Sequence, residues 1–248
     1  MSNGSSSRRR QMQRSIRSLI SYGKTIGLPT MMLEKVYLGG YKVAFHSEAS
    51  GAYTGVDTIT FPRNIVKSLG SIAIDGIHKE AKAVGLLFHE GTHALIDINL
   101  RSGDREFHSL HARAKRHYTE AKFVDGSRVP RAELDTAVTE AAAWYVHENV
   151  YVWWMAREIM EDLSQSGLVR DGSVTLPIPS HVASDILSIA NYARHANYGI
   201  SPFDDKTDKR LAKAIHPGLK SFCDDVVLEG KIKLSLANYL NALVGDYA

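Results

Sequence analysis

Apolar residues recur with the period of an α-helix over most of the chain. In the first such segment Met12, Ile16, Leu19 and Ile20 fall on one face, and arginines mostly occupy the other. Three more helices are predicted in the first two thirds of the chain: Lys79–Asn99, Phe107–Phe123 and about Arg131–Leu163. Shorter helices are predicted beyond them, at about Ser180–Ala196, Lys206–Ala214, Leu219–Glu229 and Leu234–Val244. The pattern therefore predicts a mostly helical protein with a helical C-terminal part, about residues 180–248.

Two segments near the N-terminus have the composition of strands instead. Lys35–His46 and Val56–Phe61 are rich in β-branched and aromatic residues, and Ser47–Gly55 between them contains two glycines. We therefore expect two strands joined by a longer loop, followed by a short helix that Pro62 opens and that ends at Leu69. Because the strands are gathered early and helices fill the rest, the predicted fold class is α+β, mostly helical with a small N-terminal β-sheet.

Composition excludes several protein classes. The 248 residues are 44% apolar and 23% charged, which is typical of a soluble globular protein and not of a disordered or fibrous one. A single cysteine, Cys223, rules out an intramolecular disulfide and a cysteine-based zinc finger or iron–sulfur cluster. The apolar runs fall short of the roughly 18–20 residues needed to cross a bilayer, so no transmembrane segment is expected.

The net charge of +3 conceals an uneven distribution. Residues 1–33 contain no acid and six bases, whereas the rest of the chain has 24 bases and 27 acids. The six bases are Arg8, Arg9, Arg10, Arg14, Arg17 and Lys24. Since the first ten residues are rich in serine and poor in apolar side chains, we expect residues 1–33 to form a basic, partly disordered arm on a single domain of residues 34–248.

This arm bears on localisation and partners. The simplest interpretation is a solvated tail leading into a first helix that packs on the body. No continuous apolar stretch follows the arginines, so no secretory signal peptide is expected, and the protein is predicted to be soluble, either cytoplasmic or delivered by a dedicated secretion route. An arginine- and serine-rich segment without acids also suits an organelle transit peptide. A docking arm for an anionic partner, nucleic acid or membrane, is a third interpretation.

One motif carries chemistry. His89-Glu90-Gly91-Thr92-His93 is a His-Glu-x-x-His sequence inside a predicted helix, with apolar residues on both sides. Residues four apart lie one turn apart on one helix face, so His89 and His93 can direct imidazole nitrogens at a single zinc ion. Glu90 lies beside that face, where its carboxylate can take a proton from water activated by the metal. The motif therefore predicts a zinc-dependent hydrolase.

In this motif the chain resembles the zincin metallopeptidases, over roughly Val43–Val152. Metzincins continue with a glycine and a third histidine at the positions held here by Ile96 and Asn99, so that subgroup is excluded. Glutamate-type zincins (gluzincins) take their third zinc ligand from a later helix, where a glutamate precedes small residues. Glu140, which three alanines follow, matches that element. The resemblance implies a compact metallopeptidase domain similar to those of bacterial effectors and toxins.

The third ligand has two alternatives. The interval between His93 and Glu140 is longer than in the best-known members of the family, and the predicted helix between them accounts for the difference as an insertion. Glu133 and His147 lie seven residues to either side of Glu140, on about the same helix face. The resemblance implies zinc held by the two motif histidines and Glu140, with Glu133 and His147 as the other candidates.

The resemblance implies further elements of a peptidase site. The strand before the metal-binding helix, matched here by Thr54–Phe61, aligns a peptide substrate by β-augmentation. Family members usually have a histidine or tyrosine that stabilises the oxyanion, and His195 and Tyr198 are the candidates. Asp97 is placed either to hydrogen-bond a ligand imidazole from behind or to remain solvated.

The leading prediction is a zinc metallopeptidase that acts on a protein or peptide substrate. One alternative keeps the same zinc site but hydrolyses a non-peptide amide, because the motif specifies activated water and not the substrate. The other is a non-catalytic helical module that binds through its basic arm, with incidental histidines and no metal.

Overall fold

A computed structural model describes residues 3–26, 28–46, 52–70, 77–120, 122–123 and 128–165, together with residues 169–170, 173–174, 200–201 and 214. The helices of this part are α1 (Asn3–Ile26), α2 (Met31–Leu33), α3 (Ile65–Gly70), α4 (Ile77–Arg101), α5 (Arg105–Glu120) and α6 (Leu134–Gln165). The strands are β1 (Lys42–His46), β2 (Tyr53–Thr54), β3 (Thr58–Pro62), β4 (Lys122–Phe123), β5 (Val169–Arg170), β6 (Ser173–Val174) and β7 (Ile200–Ser201). A π-helical turn (Glu34–Leu38) continues α2, and a 3-10 turn (Arg131–Glu133) leads into α6.

The described part is 75% helical with a small sheet, which confirms the predicted α+β class. None of its helices combines the length and the apolar character that crossing a membrane requires. The helices predicted over residues 180–248 lie outside the described residues, except for residue 214.

The N-terminal segment is helical from Asn3, so the expectation of a disordered serine-rich start is wrong. Met12, Ile16, Leu19 and Ile20 are buried in the core. A helix in a protein gains most of its stability from packing an apolar face, so this stripe explains how the polar first turns are held in the same helix. Four arginines are exposed on the outer side of α1: Arg9, Arg10, Arg14 and Arg17.

The predicted strand Lys35–His46 is a strand only in its second half, which is β1. Its first half lies in the π-helical turn, where Val36 and Tyr37 are both buried. Consecutive residues of a strand point to opposite faces, so a helical turn is needed to carry both side chains into the same core. The prediction of a strand over residues 35–41 is therefore wrong.

The N-terminal sheet has the strand order β1-β3-β2. β1 pairs with β3 in parallel, and β2 pairs with β3 antiparallel. β2 falls within the segment predicted as a loop, while the predicted strand Val56–Phe61 corresponds to β3. The segment Thr54–Phe61 is thus divided between the edge strand β2 and the central strand β3, and β2 contacts α4.

Antiparallel packing of α4 on α6 forms the centre of the part of the chain that the structure describes. Gly85 of α4 lies against His147 of α6, whereas His93, two turns further along α4, lies beside Glu140, two turns earlier in α6. The three alanines that follow Glu140 are buried. The distance between packed helices depends on the side chains at the contact, so these small residues let the two backbones approach closely.

The predicted break at residues 102–104 separates α4 from α5 and is confirmed. Gly103 has φ 75°, a left-handed conformation that glycine adopts without steric penalty. Asp104 Oδ1 then accepts hydrogen bonds from the backbone N–H groups of Glu106 (3.0 Å) and Phe107 (3.2 Å). These bonds cap the N-terminus of α5.

Gly91 allows α2 to pack directly on α4. A Cβ atom at this position would collide with Met32 Sδ and lie 2.8 Å from Met32 Cε. Met32 is fully buried, so we expect its overpacking in Gly91→Ala to cost about 1–3 kcal/mol, while helix propensity returns up to about 1 kcal/mol. The expected net loss in the free energy of unfolding is about 2 kcal/mol at most when propensity is fully returned. Urea denaturation measures the change. Gly40→Ala is the control, since a Cβ there meets nothing within 4 Å; equal stability of the two variants would contradict this explanation.

Candidate metal centre

Two histidines of α4 form one half of the candidate site. His89 and His93 lie one turn apart, and their Nε2 atoms are 3.2 Å from each other. His89 is buried and His93 is half-buried, within a helix whose neighbouring residues Leu87 and Phe88 are fully buried. The spacing of the motif therefore brings two imidazole nitrogens to one place on the helix surface.

α6 supplies the other half. Glu140 Oε2 lies 3.5 Å from His89 Nε2, and Glu140 Oε1 lies 3.5 Å from His93 Nε2. The carboxylate thus lies across the histidine pair, with one oxygen facing each imidazole. Among the residues that the structure describes, these three side chains form a group that can hold a metal ion. The side chains of His89, His93 and Glu140 are called the metal group.

The separations of these atoms resemble those of a tetrahedral site. Two ligands about 2.0–2.1 Å from a zinc ion lie about 3.3 Å apart at the tetrahedral angle, and about 2.9 Å apart at the right angle of an octahedron. The two imidazole nitrogens are 3.2 Å apart, and each is 3.5 Å from a carboxylate oxygen. Two nitrogens and one carboxylate are a donor set that zinc accepts, with a fourth position left for water or substrate.

The electrostatics of the group suit a cation. Burial lowers the pKa of His93 to about 4. Burial alone would raise the pKa of Glu140, but hydrogen bonding to His89 and the nearby His93 outweigh it, and the net shift is downward. Neutral imidazoles and ionised carboxylates are the forms that donate to a metal ion, so His93 and Glu140 need not lose a proton to bind one at neutral pH.

The two alternative third ligands lie in different surroundings. Glu133 is exposed in the 3-10 turn before α6. His147 is buried two turns beyond Glu140, where its ring stacks on Trp144 at a centroid distance of 4.8 Å and lies 5.8 Å from the His89 ring. Of these three candidates, Glu140 is the residue that the structure places across the histidine pair.

Trp144 packs against the metal group, and sequence reasoning did not assign it to the site. Its ring meets the His89 ring edge-on, with centroids 4.7 Å apart and an interplanar angle of 65°. The nearby Trp144 side chain also contributes to the lowered pKa of Glu140. Because Trp144 follows Glu140 by four residues, the two share a helix face, and that spacing is the signal from which it could have been found.

Glu90 is buried beside the histidine pair, with 3% of the residue exposed. Thr54 Oγ1, on β2, lies 2.7 Å from Glu90 Oε2 and 3.1 Å from the Glu90 carbonyl oxygen. Burial raises the pKa of Glu90, and the hydrogen bond from Thr54 opposes that rise. Sequence reasoning placed Thr54 only at the start of a strand, because no local pattern links it to a residue 36 positions away.

Asp97 connects α4 with residues beside the sheet. It accepts a hydrogen bond of 2.8 Å from the Tyr41 hydroxyl and forms an ion pair with Arg101. Arg101 also donates to the carbonyl oxygen of Val56 at 2.9 Å. Burial, followed by the hydrogen bond to Asp97, raises the pKa of Tyr41. Within the described residues, the Asp97 carboxylate thus bonds to Tyr41 and Arg101, and neither of its two expected roles, a bond to a ligand imidazole or full solvation, describes these contacts.

The metal group opens into a cleft of about 580 Å³. One face of α4 forms its floor, where Ile96 and Leu100 continue the line of the two histidines. One side is lined by the edge of the sheet, at Ala52, Thr54, Gly55 and Val56, and the first turns of α6 line the other. This volume lies within the range of about 300–1,000 Å³ that is usual for ligand sites.

The two predicted oxyanion donors, His195 and Tyr198, lie outside the described residues. Their roles stay predictions.

Comparison with protein-family models, with curated proteins and with solved structures finds no match to this chain. The geometry of the metal group and of its cleft is therefore the basis for inferring a function.

The choice of third ligand is testable by metal binding. We expect Glu140→Ala to weaken zinc binding by more than about 100-fold, since losing a ligand costs at least as much as losing a residue that orients one. Glu133→Ala is the matched control and should keep the parental affinity, because Glu133 is exposed. Isothermal titration calorimetry and metal analysis provide the measurements. Parental affinity in Glu140→Ala would contradict the assignment, and a loss in Glu133→Ala would transfer it to that residue.

Proposed function

We propose that this chain is a zinc-dependent metallopeptidase in which Glu90 acts as the general base. The observation that carries the proposal is the buried carboxylate of Glu90 next to the group formed by His89, His93 and Glu140, in one cleft. Burying an ionisable group is unfavourable unless the site compensates for it, and ionisable groups in such environments are concentrated at functional sites. The resemblance of the motif to glutamate-type zincins supports the same conclusion.

Zinc is the proposed metal. The two imidazole nitrogens and the carboxylate match its preferred donors, and their separations are nearer to a tetrahedral edge than to an octahedral one. Bound zinc would supply Lewis acidity, which lowers the pKa of water and polarises a carbonyl oxygen.

Glu90 is proposed to carry out the proton transfers. Its carboxylate accepts a proton from the attacking water as the water oxygen bonds to the scissile carbonyl carbon. It then gives that proton to the amine nitrogen as the carbon–nitrogen bond breaks. His195 or Tyr198 is proposed to donate a hydrogen bond to the oxyanion.

A peptide is the proposed substrate because the cleft runs beside the edge of a sheet. β2 pairs with β3 through one side only in the described sheet, and an extended peptide can add to such an edge through main-chain hydrogen bonds. A non-peptide amide would use the same metal group and the same base but would have no use for the edge strand. We therefore favour a protein or peptide substrate over the non-peptide amide.

The basic face of α1 is proposed to serve a separate purpose, contact with an anionic partner. Its exposed arginines lie opposite a buried apolar stripe, which leaves them available for electrostatic contacts. A module that only docked through this face would have no use for a buried carboxylate beside two histidines and a glutamate. We therefore propose that docking through α1 accompanies the hydrolytic function and does not replace it.

Glu90→Gln separates chemistry from metal binding. The amide keeps the size of the side chain but cannot accept the proton, so we expect unchanged zinc content and a rate of peptide hydrolysis lower by about 10²–10⁴-fold. Cleavage of an unfolded protein and of a mixed peptide library by the zinc-loaded chain, followed by mass spectrometry, measures the rate.

Glu133→Gln is the control for that experiment, because it makes the same chemical change at an exposed position and should leave the rate unchanged. Activity that survives in Glu90→Gln would refute the mechanism. A parent chain that binds zinc and hydrolyses small amides but not peptides would favour the other substrate class.

A further inference from the structure

Thr54, on the edge strand β2, hydrogen-bonds to the buried carboxylate of Glu90. Its Oγ1 lies 2.7 Å from Glu90 Oε2 and 3.1 Å from the carbonyl oxygen of the same residue. The hydroxyl has a single hydrogen to donate, and the shorter contact is with the carboxylate. Hydrogen bonds to an ionised acceptor are roughly twice as strong as neutral ones, so the bond to the carboxylate is the stronger of the two.

Thr54 itself is held in place by its own strand. It pairs with Ile59 of β3, and the next residue, Gly55, donates a backbone hydrogen bond of 2.8 Å to the carbonyl oxygen of Thr58. Arg101 of α4 bonds to the carbonyl oxygen of Val56, two residues beyond Thr54. The β-branched side chain of threonine also restricts its χ1 angle. The hydroxyl is therefore a fixed donor and not a mobile one.

We propose that Thr54 is a positioning residue for Glu90, which holds one carboxylate oxygen so that the other is presented to the attacking water. The inference rests on the proposed function. Thr54 donates to Oε2, which leaves Oε1 of Glu90 to accept the proton. In the hydrolytic step the proton passes from water to Oε1 and then to the leaving amine, while the hydroxyl proton of Thr54 stays on Thr54.

The same residue belongs to the strand that borders the cleft. Thr54 lines the cleft together with Glu90 and the metal group, so the strand proposed to align a peptide is bonded directly to the proposed base. Removing the hydroxyl takes away this bond while leaving the strand pairing intact, because the pairing uses backbone atoms. The loss should therefore affect kcat much more than KM.

Thr54→Val and Thr54→Ser form the test pair, because valine keeps the shape of threonine without the hydroxyl and serine keeps the hydroxyl. In the zinc-loaded chain we expect Thr54→Val to lower kcat by about 10- to 100-fold, the range for a hydrogen bond to a charged group, with KM within about twofold of the parent. Thr54→Ser should restore kcat to within about threefold. Thr58→Val is the control, since the Thr58 hydroxyl, on the neighbouring strand β3, bonds to the exposed Asp57 directly before it and not to the cleft.

A second readout does not depend on activity. In crystal structures of the metal-free chain, Glu90 should have a single carboxylate orientation in the parent and in Thr54→Ser, and a displaced or divided one in Thr54→Val. Thr54→Ala serves in place of the valine variant if circular dichroism shows that the latter does not fold. Zinc affinity should stay at the parental value in every variant.

Three results would overturn the proposal: parental kcat in Thr54→Val, equal losses in the valine and serine variants, or an effect confined to KM. An unchanged Glu90 orientation in the valine variant would overturn it as well. An inactive parent chain whose Glu90 still depends on the Thr54 hydroxyl would refute the proposed function alone, so the two failures are distinguishable.

Discussion

The close approach of α4 and α6 is the constraint on which the candidate site depends. Two imidazoles on one helix and a carboxylate on the other lie 3.2–3.5 Å apart, which large residues at the interface would prevent. On α4, the lack of a side chain at Gly85 allows this close approach, since a Cβ there would lie 2.7 Å from His147 Nε2. On α6, the small buried alanines after Glu140 allow the same close approach. Gly91 allows α2 to approach another face of α4 closely, so α4 is tightly packed on two sides.

Polar contacts to α4 complete this packing around the motif. The buried Tyr37 hydroxyl donates to the carbonyl oxygen of Leu87 at 2.6 Å. Thr54 bonds to Glu90 from the sheet. A buried polar group without a partner costs about 1–3 kcal/mol, so these bonds restrict how α4 can rotate or slide. The apolar core fixes the distance between the helices, and the polar contacts fix the rotation of α4 about its own axis.

Long-range packing explains where the fold departs from the sequence-based expectation. The break at residues 102–104 and the helix that bears the motif depend on neighbours a few residues away, and both were predicted correctly. The serine-rich start is helical because its continuation buries Met12 and Ile16 in the core. Lys35 lies in a π-helical turn because Val36 and Tyr37 both point into that core. β-propensity and composition describe a segment in isolation, and in these two cases tertiary burial outweighs them.

The sequence by itself determined how His89, Glu90 and His93 are spaced on a helix, since that spacing follows from local geometry alone. It left Glu133 and His147 open as alternatives to Glu140, because the three positions are seven residues apart and share one face of the predicted helix. Only the antiparallel register of α6 on α4 decided that Glu140 meets the histidines. Tertiary structure alone also brought Thr54 to Glu90, through a strand whose pairing is set by partners distant in the sequence. A helix turn is specified by residues within four positions of one another, whereas a site shared between two helices and a sheet edge is specified by how their surfaces pack.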